Sequence, residues 1–407
     1  MRENVKMRYP RYLKEFKCIG GKCTDSCCIG WDIDIDEVTF RQYYKVQDKE
    51  MKLMLQKNVH INDYYLSPDI DYAKIKLKSG KRCAFLDEEN YCIIHSKIGE
   101  KYLSSVCTSF PRITNKVDRY YEISLDVACP EAARILLLKE EGIEFTESEG
   151  PLEKHILSSD IETTSTEYNN SPLKYFKEIR DLSIKIIQNR EFNLSERLYI
   201  LGDSVNTLEK ELKNKYNDVP RFIKQYNMNS VNDSYEKDQS NYIMQMDLFK
   251  KMMGFLNVSK EVESPSFKEY TKQIISGFKF DEGEDISKYS ELHVNAFEYY
   301  TENFINNNSY IFENYLVNFM YNYMFPFNEE SESIFDGYIL LLVRYSFIRF
   351  YLVGKYLYNK EDNKKDMVEF VQSFSKTIEH HRTYLVDSLN YIKENKLDNM
   401  EFAKKLL

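Results

Sequence analysis

Cysteine carries the most evident chemistry in this chain. All eight cysteines, Cys18, Cys23, Cys27, Cys28, Cys83, Cys92, Cys107 and Cys129, fall in the first 129 of 407 residues. The spacing is C-x4-C-x3-C-C, then C-x8-C-x14-C, with Cys129 twenty-two positions after Cys107. An even count suits a disulfide framework, but only in an oxidising compartment. Scattered buried thiols would not cluster so tightly. Metal binding remains, because thiolates are soft donors suited to zinc or iron–sulfur clusters. The two C-x2-C pairs of a zinc ribbon are missing, so spacing alone leaves the metal open.

Cys27 and Cys28 point to opposite sides of an extended chain. They either share a tight turn at one site, or one ligates while the other packs. At least one of the eight is therefore expected not to ligate. Gly20, Gly21 and Gly30 bracket the cluster and allow the close backbone approach of a loop wrapping a metal or cofactor. Trp31, the only tryptophan, reads as an anchor for this loop or as a stacking platform. Carboxylates able to take a proton lie nearby at Asp34, Asp36, Glu122 and Asp126, with Tyr121 beside them; later in the chain stand Glu313, Glu379 and His380. Of these, Asp34, Asp126 and Glu379 are the catalytic candidates. Arg112 and Arg134 flank the cysteine helices, where a guanidinium can clamp a carboxylate in two places.

The elements that must position these groups split the chain in two. Residues 1–145 read as an α+β cysteine-rich domain, with alternation in WDIDID, a helix over about 37–57 and a strand at YAKIKLK. CAFLDEENYCIIH places Cys83 and Cys92 on opposite arms of a hairpin. A helix over roughly 97–107 then delivers Cys107, a second hairpin turns at NKVD, and Pro130 opens PEAARILLLKE. Residues 146–171 are polar and turn-rich and read as a connecting segment. Residues 172–407 read as an all-α domain offering a groove for a protein substrate. It reads almost entirely as helices, with clear examples over 172–189, 195–215, 240–256, 288–304, 309–324, 331–358 and, with a break, 364–393.

Composition narrows the classes. A formal charge of −9 disfavours nucleic acid as a partner, although seven basic residues lie from Arg2 to Lys22, at the start of the cysteine cluster. They read as a solvated terminus, a partner surface or a balance to an anionic thiolate site. The most apolar stretch, YILLLVRYSFIRFYLV at 338–353, holds Arg344 and Arg349 and falls short of a membrane span, so a buried helix is expected. No secretory signal is evident, which points to the cytoplasm.

Together, FKCIGGKCTDSCCIGWDIDID, CAFLDEENYCIIHSKIGEKYLSSVCTSFPR and YYEISLDVACPEAARILL resemble the flagellin lysine-N-methylases and the wider group with a cysteine-rich iron- or zinc-chelating domain. FENYLVNFMYNYMFPF at 312–327, YSFIRFYLVGKY at 345–356 and TIEHHRTYL at 377–385 extend the resemblance over nearly the whole chain. It implies methyl transfer from S-adenosyl-L-methionine to lysine side chains of flagellin, with a [4Fe–4S] cluster held among the cysteines. Gly20, Gly21, Arg112 and Arg134 are then the candidates for binding the cofactor. The residues add two exclusions: there is no G-x-G-x-x-G turn, and Gly30 stands where the radical C-x3-C-x2-C pattern beginning at Cys23 needs its third cysteine. A zinc- or cluster-stabilised binding module and a redox iron–sulfur protein are the alternatives.

Overall fold

In the computed structural model, which describes residues 4–213, 215–232, 241–256, 258, 262, 264–282, 286–328, 331–379 and 382–407, the N-terminal basic stretch includes a strand, β1 (Asn4–Pro10), with Lys6 and Arg8. It is followed by β2 (Asp34–Ile35), α1 (Glu37–Tyr43), α2 (Lys49–Asn58), β3 (Val59–Ile61), β4 (Ala73–Ile75), β5 (Leu77–Lys78) and β6 (Arg82–Cys83). Then come α3 (Ile93–Ile98), α4 (Ser105–Ser109), β7 (Arg112–Val117), β8 (Tyr120–Leu125), α5 (Pro130–Leu137), β9 (Phe145–Pro151) and β10 (Leu157–Ile161). One unit comprises Met1–Ile135 with Glu144–Ile161, and the other Leu136–Ile143 with Glu162–Leu407. The first unit is α+β, as expected.

Its largest sheet has the order β10-β7-β8-β1-β9. The strands β7 and β8 form the expected hairpin, whose turn holds Asp118 at φ 53°, a left-handed conformation that Asp tolerates. Strand β1 runs antiparallel to β9, which carries the carboxylates that meet its basic side chains. Lys6 lies 3.6 Å from Glu149, and Arg11 just beyond the strand lies 2.6 Å from Glu144. The segment read as a connector thus supplies two strands. Its polar alternation belongs to a sheet with one wet face rather than to a linker.

The helix expected over 37–57 is two helices. Asp36 caps α1 by accepting the Thr39 N–H, and Asp48 starts α2 by accepting that of Met51. Each cap stabilises its helix by about 1 kcal/mol, and the chain between them turns Val46 into the core. The helix expected over 97–107 is also broken. Gly99, at φ 94°, ends α3 in a conformation that glycine takes freely, and Ser104 caps α4. YAKIKLK divides between β4 and β5, which belong to different small sheets. Ile33, Ile35, Tyr43, Met51, Leu55, Ile75, Phe85 and Ile94 close this core.

The second unit is helical: α6 (Phe176–Ile187), α7 (Leu194–Lys210), α8 (Val219–Gln225), α9 (Met228–Asn232), α10 (Tyr242–Phe255), α11 (Pro265–Gly277) and α12 (Ser290–Tyr300). It continues with α13 (Ser309–Asn322), α14 (Ile334–Asn359), α15 (Lys364–Phe374), α16 (Arg382–Glu394) and α17 (Met400–Leu406). At 26 residues α14 is long and apolar enough to cross a membrane, contrary to the shorter reading from sequence. Its apolar window is nevertheless wholly buried inside the unit, where each large apolar side chain contributes about 1.5–3 kcal/mol. Gly277 and Gly354 let α11 and α14 touch, since a Cβ on Gly354 would sit 2.6 Å from the Phe278 ring.

The two arginines of α14 are accommodated by partners rather than by solvent. Arg349 donates to the carbonyls of Leu406 (2.6 Å) and Leu407 (2.8 Å) and to Gln245 (2.9 Å). Arg344 donates to the Leu340 carbonyl and lies 4.5 Å from the Phe319 ring centre. The loop after α5 is held by Asn314 on the Lys139 carbonyl, Arg190 on that of Glu140 and Gln188 on that of Ile143.

Candidate metal centre

The cysteine loops are fixed by backbone bonds. Cys83 closes the β5–β6 pair and donates its N–H to the Cys28 carbonyl at 2.9 Å, so the two cysteine stretches lie side by side. The turn after Cys83 is held by Arg82, which donates to Asn90 and to the Asp87 carbonyl, while the Asp87 carboxylate accepts the Glu89 and Tyr91 N–H groups. Cys92 bridges to Leu86 across this turn. Cys83 and Cys92 therefore sit at the two ends of one tight turn, as expected of a hairpin.

One sulfur already accepts an N–H bond: the Phe85 N–H lies 3.4 Å from Cys83 Sγ. Cys92 immediately precedes α3. Cys129 immediately precedes α5, opened by Pro130 as expected. Helix N-termini favour negative charge, so Cys92 and Cys129 are placed where a thiolate is stabilised.

Burial works in the opposite direction. It pushes the Cys83 thiol up to about 11 and those of Cys107 and Cys129 to about 12. It also raises Cys23 and Cys92. Cys28 is raised well above its ordinary value, first by its hydrogen bond with Cys27 and then by burial. Neighbouring thiols add to each shift. Cys28, Cys83, Cys92 and Cys107 act on one another; Cys23 acts on Cys129; Cys27 acts on both groups. Such a set holds its protons unless a cation neutralises it.

Cys28, Cys83, Cys92 and Cys107 also belong to the same packed apolar cluster as Tyr43. The Tyr43 hydroxyl is buried without a hydrogen-bond partner, although its environment is shaped by Cys107, Asp36, Cys92 and Cys83. Leaving such a donor unpaired costs about 1–3 kcal/mol. Sulfur donors, an N–H bond to the Cys83 sulfur and an orphaned hydroxyl in the same cluster fit a metal group held by thiolates. Among the described residues, no three His, Cys, Asp or Glu side chains stand close enough to hold an ion in their present positions. Tyr43 was not singled out by the sequence, where its spacing marks it only as one apolar-face residue among several.

The other candidates are dispersed. Gly20 sits at φ 56° in a turn, where a Cβ would come 2.9 Å from the Tyr91 ring; Gly21 faces the Glu89 carbonyl as closely. These glycines are required by the packing of the Cys18–Cys23 loop on the Cys83–Cys92 turn. Trp31 donates to the Cys27 carbonyl at 2.6 Å and meets Phe110 edge-on, which anchors the loop. Arg112 lies over the Phe16 ring, and Arg134 makes two bonds to Glu131, so both guanidinium groups already have intramolecular partners.

Asp126 accepts the Ala128 N–H at 2.8 Å and shapes the turn into Cys129. Asp36 accepts from Thr39, Ser105 and Lys154 and acts as an internal clamp. Asp34 is half-buried, is raised chiefly by that burial, and has Lys74 at 4.0 Å. Glu379 ends a π-helical turn, Ser375–Glu379, and accepts from Tyr315 at 2.6 Å and Tyr323 at 3.4 Å. Glu313 is paired with Arg190 and Arg197. His380 and His381 lie outside the described residues.

The C-terminal domain of the FliB lysine N-methylases matches residues 180–406, more than half of the chain. This chain belongs to the FliB lysine N-methylase family. The flagellar biosynthetic protein FliU of Salmonella muenchen is 31% identical over 136 residues, 33% of this chain and 79% of that protein. The lysine-N-methylases of Salmonella typhimurium strain LT2 and Salmonella choleraesuis strain SC-B67 are each 30% identical over 136 residues, 33% of this chain and 33% of theirs. The matched region is thus a third of the length of these two methylases. No solved structure matches the chain. Within the FliB family match lie the helical segments α13, α14 and the Glu379 turn, whose sequences extend the resemblance beyond the cysteine stretches.

Proposed function

We propose that this FliB-family protein is a cytoplasmic enzyme that transfers methyl groups from S-adenosyl-L-methionine to lysine side chains of flagellin, with a [4Fe–4S] cluster on its thiols. The observation that carries the reading is the gathering of eight cysteines into one unit of a chain whose other unit matches the lysine N-methylase domain. Cys28, Cys83, Cys92 and Cys107, which share the apolar cluster with the orphaned Tyr43 hydroxyl, are the residues that would hold the cluster. Held through three of these four thiols, with the fourth packed beside them, it would leave one iron able to take the amino and carboxylate groups at the methionine end of the methyl donor.

The remaining work belongs to the protein's own side chains. An acceptor lysine must lose a proton, and holding it neutral at pH 7 costs about 4–5 kcal/mol from its ordinary pKa near 10.4. Desolvation or a nearby base has to meet that cost. Asp126 is the least suited of the three nominated carboxylates, because its oxygen is committed to the turn before Cys129. Asp34 can accept a proton, since burial already favours its neutral form. Glu379 can orient an ammonium or take its proton, with Tyr315 and Tyr323 fixing the carboxylate.

Anaerobically purified protein, labelled methyl donor and the flagellin of the same organism provide the test. Label on flagellin lysines, lost in the Cys83→Ser variant together with its iron and sulfide, is the expected result. A protein with four irons and matching sulfide that labels no lysine would refute the assignment. Separate Asp34→Asn and Glu379→Gln variants identify the base: the correct one lowers kcat and shifts the acidic limb of its pH profile.

A further inference from the structure

A second surface of the cysteine-rich unit has no place in the chemistry above. The loop between β3 and β4 exposes Tyr64 (89%) and Leu66 (95%) almost completely, with Ile61 and Tyr65 about half exposed beside them. Large apolar side chains grouped in this way on a folded surface mark a binding site more often than an accident of sequence.

The loop is built rather than loose. The Asp71 carboxylate accepts the N–H groups of Leu66 and Ser67, Asn62 donates to the Asp71 carbonyl, and the Tyr65 N–H returns to that of Asn62. The Glu37 N–H donates to the Pro68 carbonyl at 2.8 Å, which ties the loop to the start of α1. From there a row of rings runs across the surface: Tyr65 to Tyr72 (5.3 Å), Tyr72 to Phe40 (5.5 Å) and Phe40 to Tyr44 (5.4 Å). Its far end is exposed too, at Tyr44 and Val38.

Charge selects the partner. Residues 62–73 contain Asp63, Asp69 and Asp71 and neither lysine nor arginine, and both Asp63 and Asp69 are exposed. Asp32 and Asp34 lie at the neighbouring strand, where Lys74 stands near both. Tyrosine faces attract ammonium groups and the carboxylates attract them further, whereas an acidic partner would be repelled.

We propose that the Ile61–Tyr72 loop and the exposed face of α1 form a docking surface for a lysine-bearing, partly apolar segment of a partner protein. The choice of partner rests on the reading that this enzyme acts on lysines of a protein. Binding here holds that protein by a segment distinct from the lysine being modified. It would therefore lower KM for the intact substrate without changing kcat.

The test uses the full chain and a short labelled peptide of interspersed lysines and leucines, with a glutamate–leucine peptide as control. Binding is read by fluorescence anisotropy. The paired change Tyr64→Ser and Leu66→Ser is expected to weaken lysine-peptide binding by about tenfold, and Asp63→Asn with Asp69→Asn by a smaller, salt-sensitive factor. Because these side chains are exposed, the melting temperature should not move. Unchanged peptide binding in the Tyr64/Leu66 variant, or equal binding of the glutamate peptide, overturns the proposal. So does a concentration-dependent mass in sedimentation that the variant abolishes, which would assign the surface to a second copy. Loss of methylation activity in the unaltered protein would not produce any of these results, so failure of the functional reading is distinguishable.

Discussion

The two units solve the problem of buried polar groups in opposite ways. In the cysteine-rich unit the elements are short, and acidic side chains replace the missing regular structure: Asp36, Asp71 and Asp126 each accept backbone N–H groups. In the helical unit most of the backbone pairs within its helices, and the most deeply buried charges include arginines, Arg180, Arg197 and Arg349 at 0–2% exposure, with Arg197 paired to the buried Glu313. On the proposed reading, the first arrangement leaves the cysteine loops to be completed by the group that their sulfurs hold. The second makes a self-sufficient core. A metal or cluster is therefore expected to stabilise the cysteine-rich unit far more than the helical one.

The largest effect should follow from removing a sulfur. Cys83→Ser takes away a buried sulfur of the packed cysteine cluster, and on the proposed reading it should release bound metal and open the cysteine-rich unit to protease, while α6–α17 stay protected. Amide exchange on the purified variant checks this, and simultaneous loss of protection in both units would break the comparison. Next comes Arg349→Ala, which leaves the Leu406 and Leu407 carbonyls and Gln245 without their charged donor. The loss is about 3 kcal/mol or more, appears in denaturant unfolding, and should leave metal content unchanged.

Asp36→Ala should cost about 2 kcal/mol, the value of a lost cap plus the stranded Ser105 N–H and Lys154 ammonium. Its effect should appear in the cysteine-rich unit alone. Burial raises the Asp36 carboxyl, but the N–H groups of Ser105 and Thr39, the Thr39 hydroxyl and Lys154 together bring it below the ordinary value. The folded state therefore binds its proton less readily than the unfolded chain. This contribution is complete above about pH 4 and disappears as pH falls through the folded value. An acid titration of wild type against Asp36→Ala should show the two curves converging only in that range.

The sequence was most legible where a periodic pattern coincided with the burial it predicts. The long helices of the second unit, the NKVD hairpin and the Pro130 helix start all stand where they are expected. Breaks within apparent helices were missed at Asp48 and Gly99, because one capping carboxylate or one positive φ interrupts an apolar pattern without changing it. The strands at 145–161 were missed because their partners, β1 and β7, come from far earlier in the chain. For the candidate site, types and spacing identified the sulfurs. They did not reveal that Gly20 and Gly21 pack on Tyr91 and Glu89, that Arg134 is held by Glu131, or that Tyr43 has no partner. Those facts depend on which loops meet, and no local pattern records that.

The smallest predicted effect tests the helical unit's independence by pH. His293 on α12 is fully buried, Nε2 contacts the Phe278 carbonyl at 3.0 Å, and Nδ1 has no partner. Burial lowers its pKa, with the Phe278 carbonyl partly opposing the shift. As pH falls below about 6.5 the unfolded chain takes up a proton that the folded chain resists, so stability declines until the folded value is reached and is unaffected above neutrality. Replacing His293 with Leu removes this dependence but also strands the Phe278 carbonyl, so the two effects must be read separately. The variant should be slightly less stable at pH 8 and should lose less stability than wild type between pH 7 and pH 5, in the unfolding of the helical unit only. An equal slope in both proteins would show that the pH response of this unit arises elsewhere.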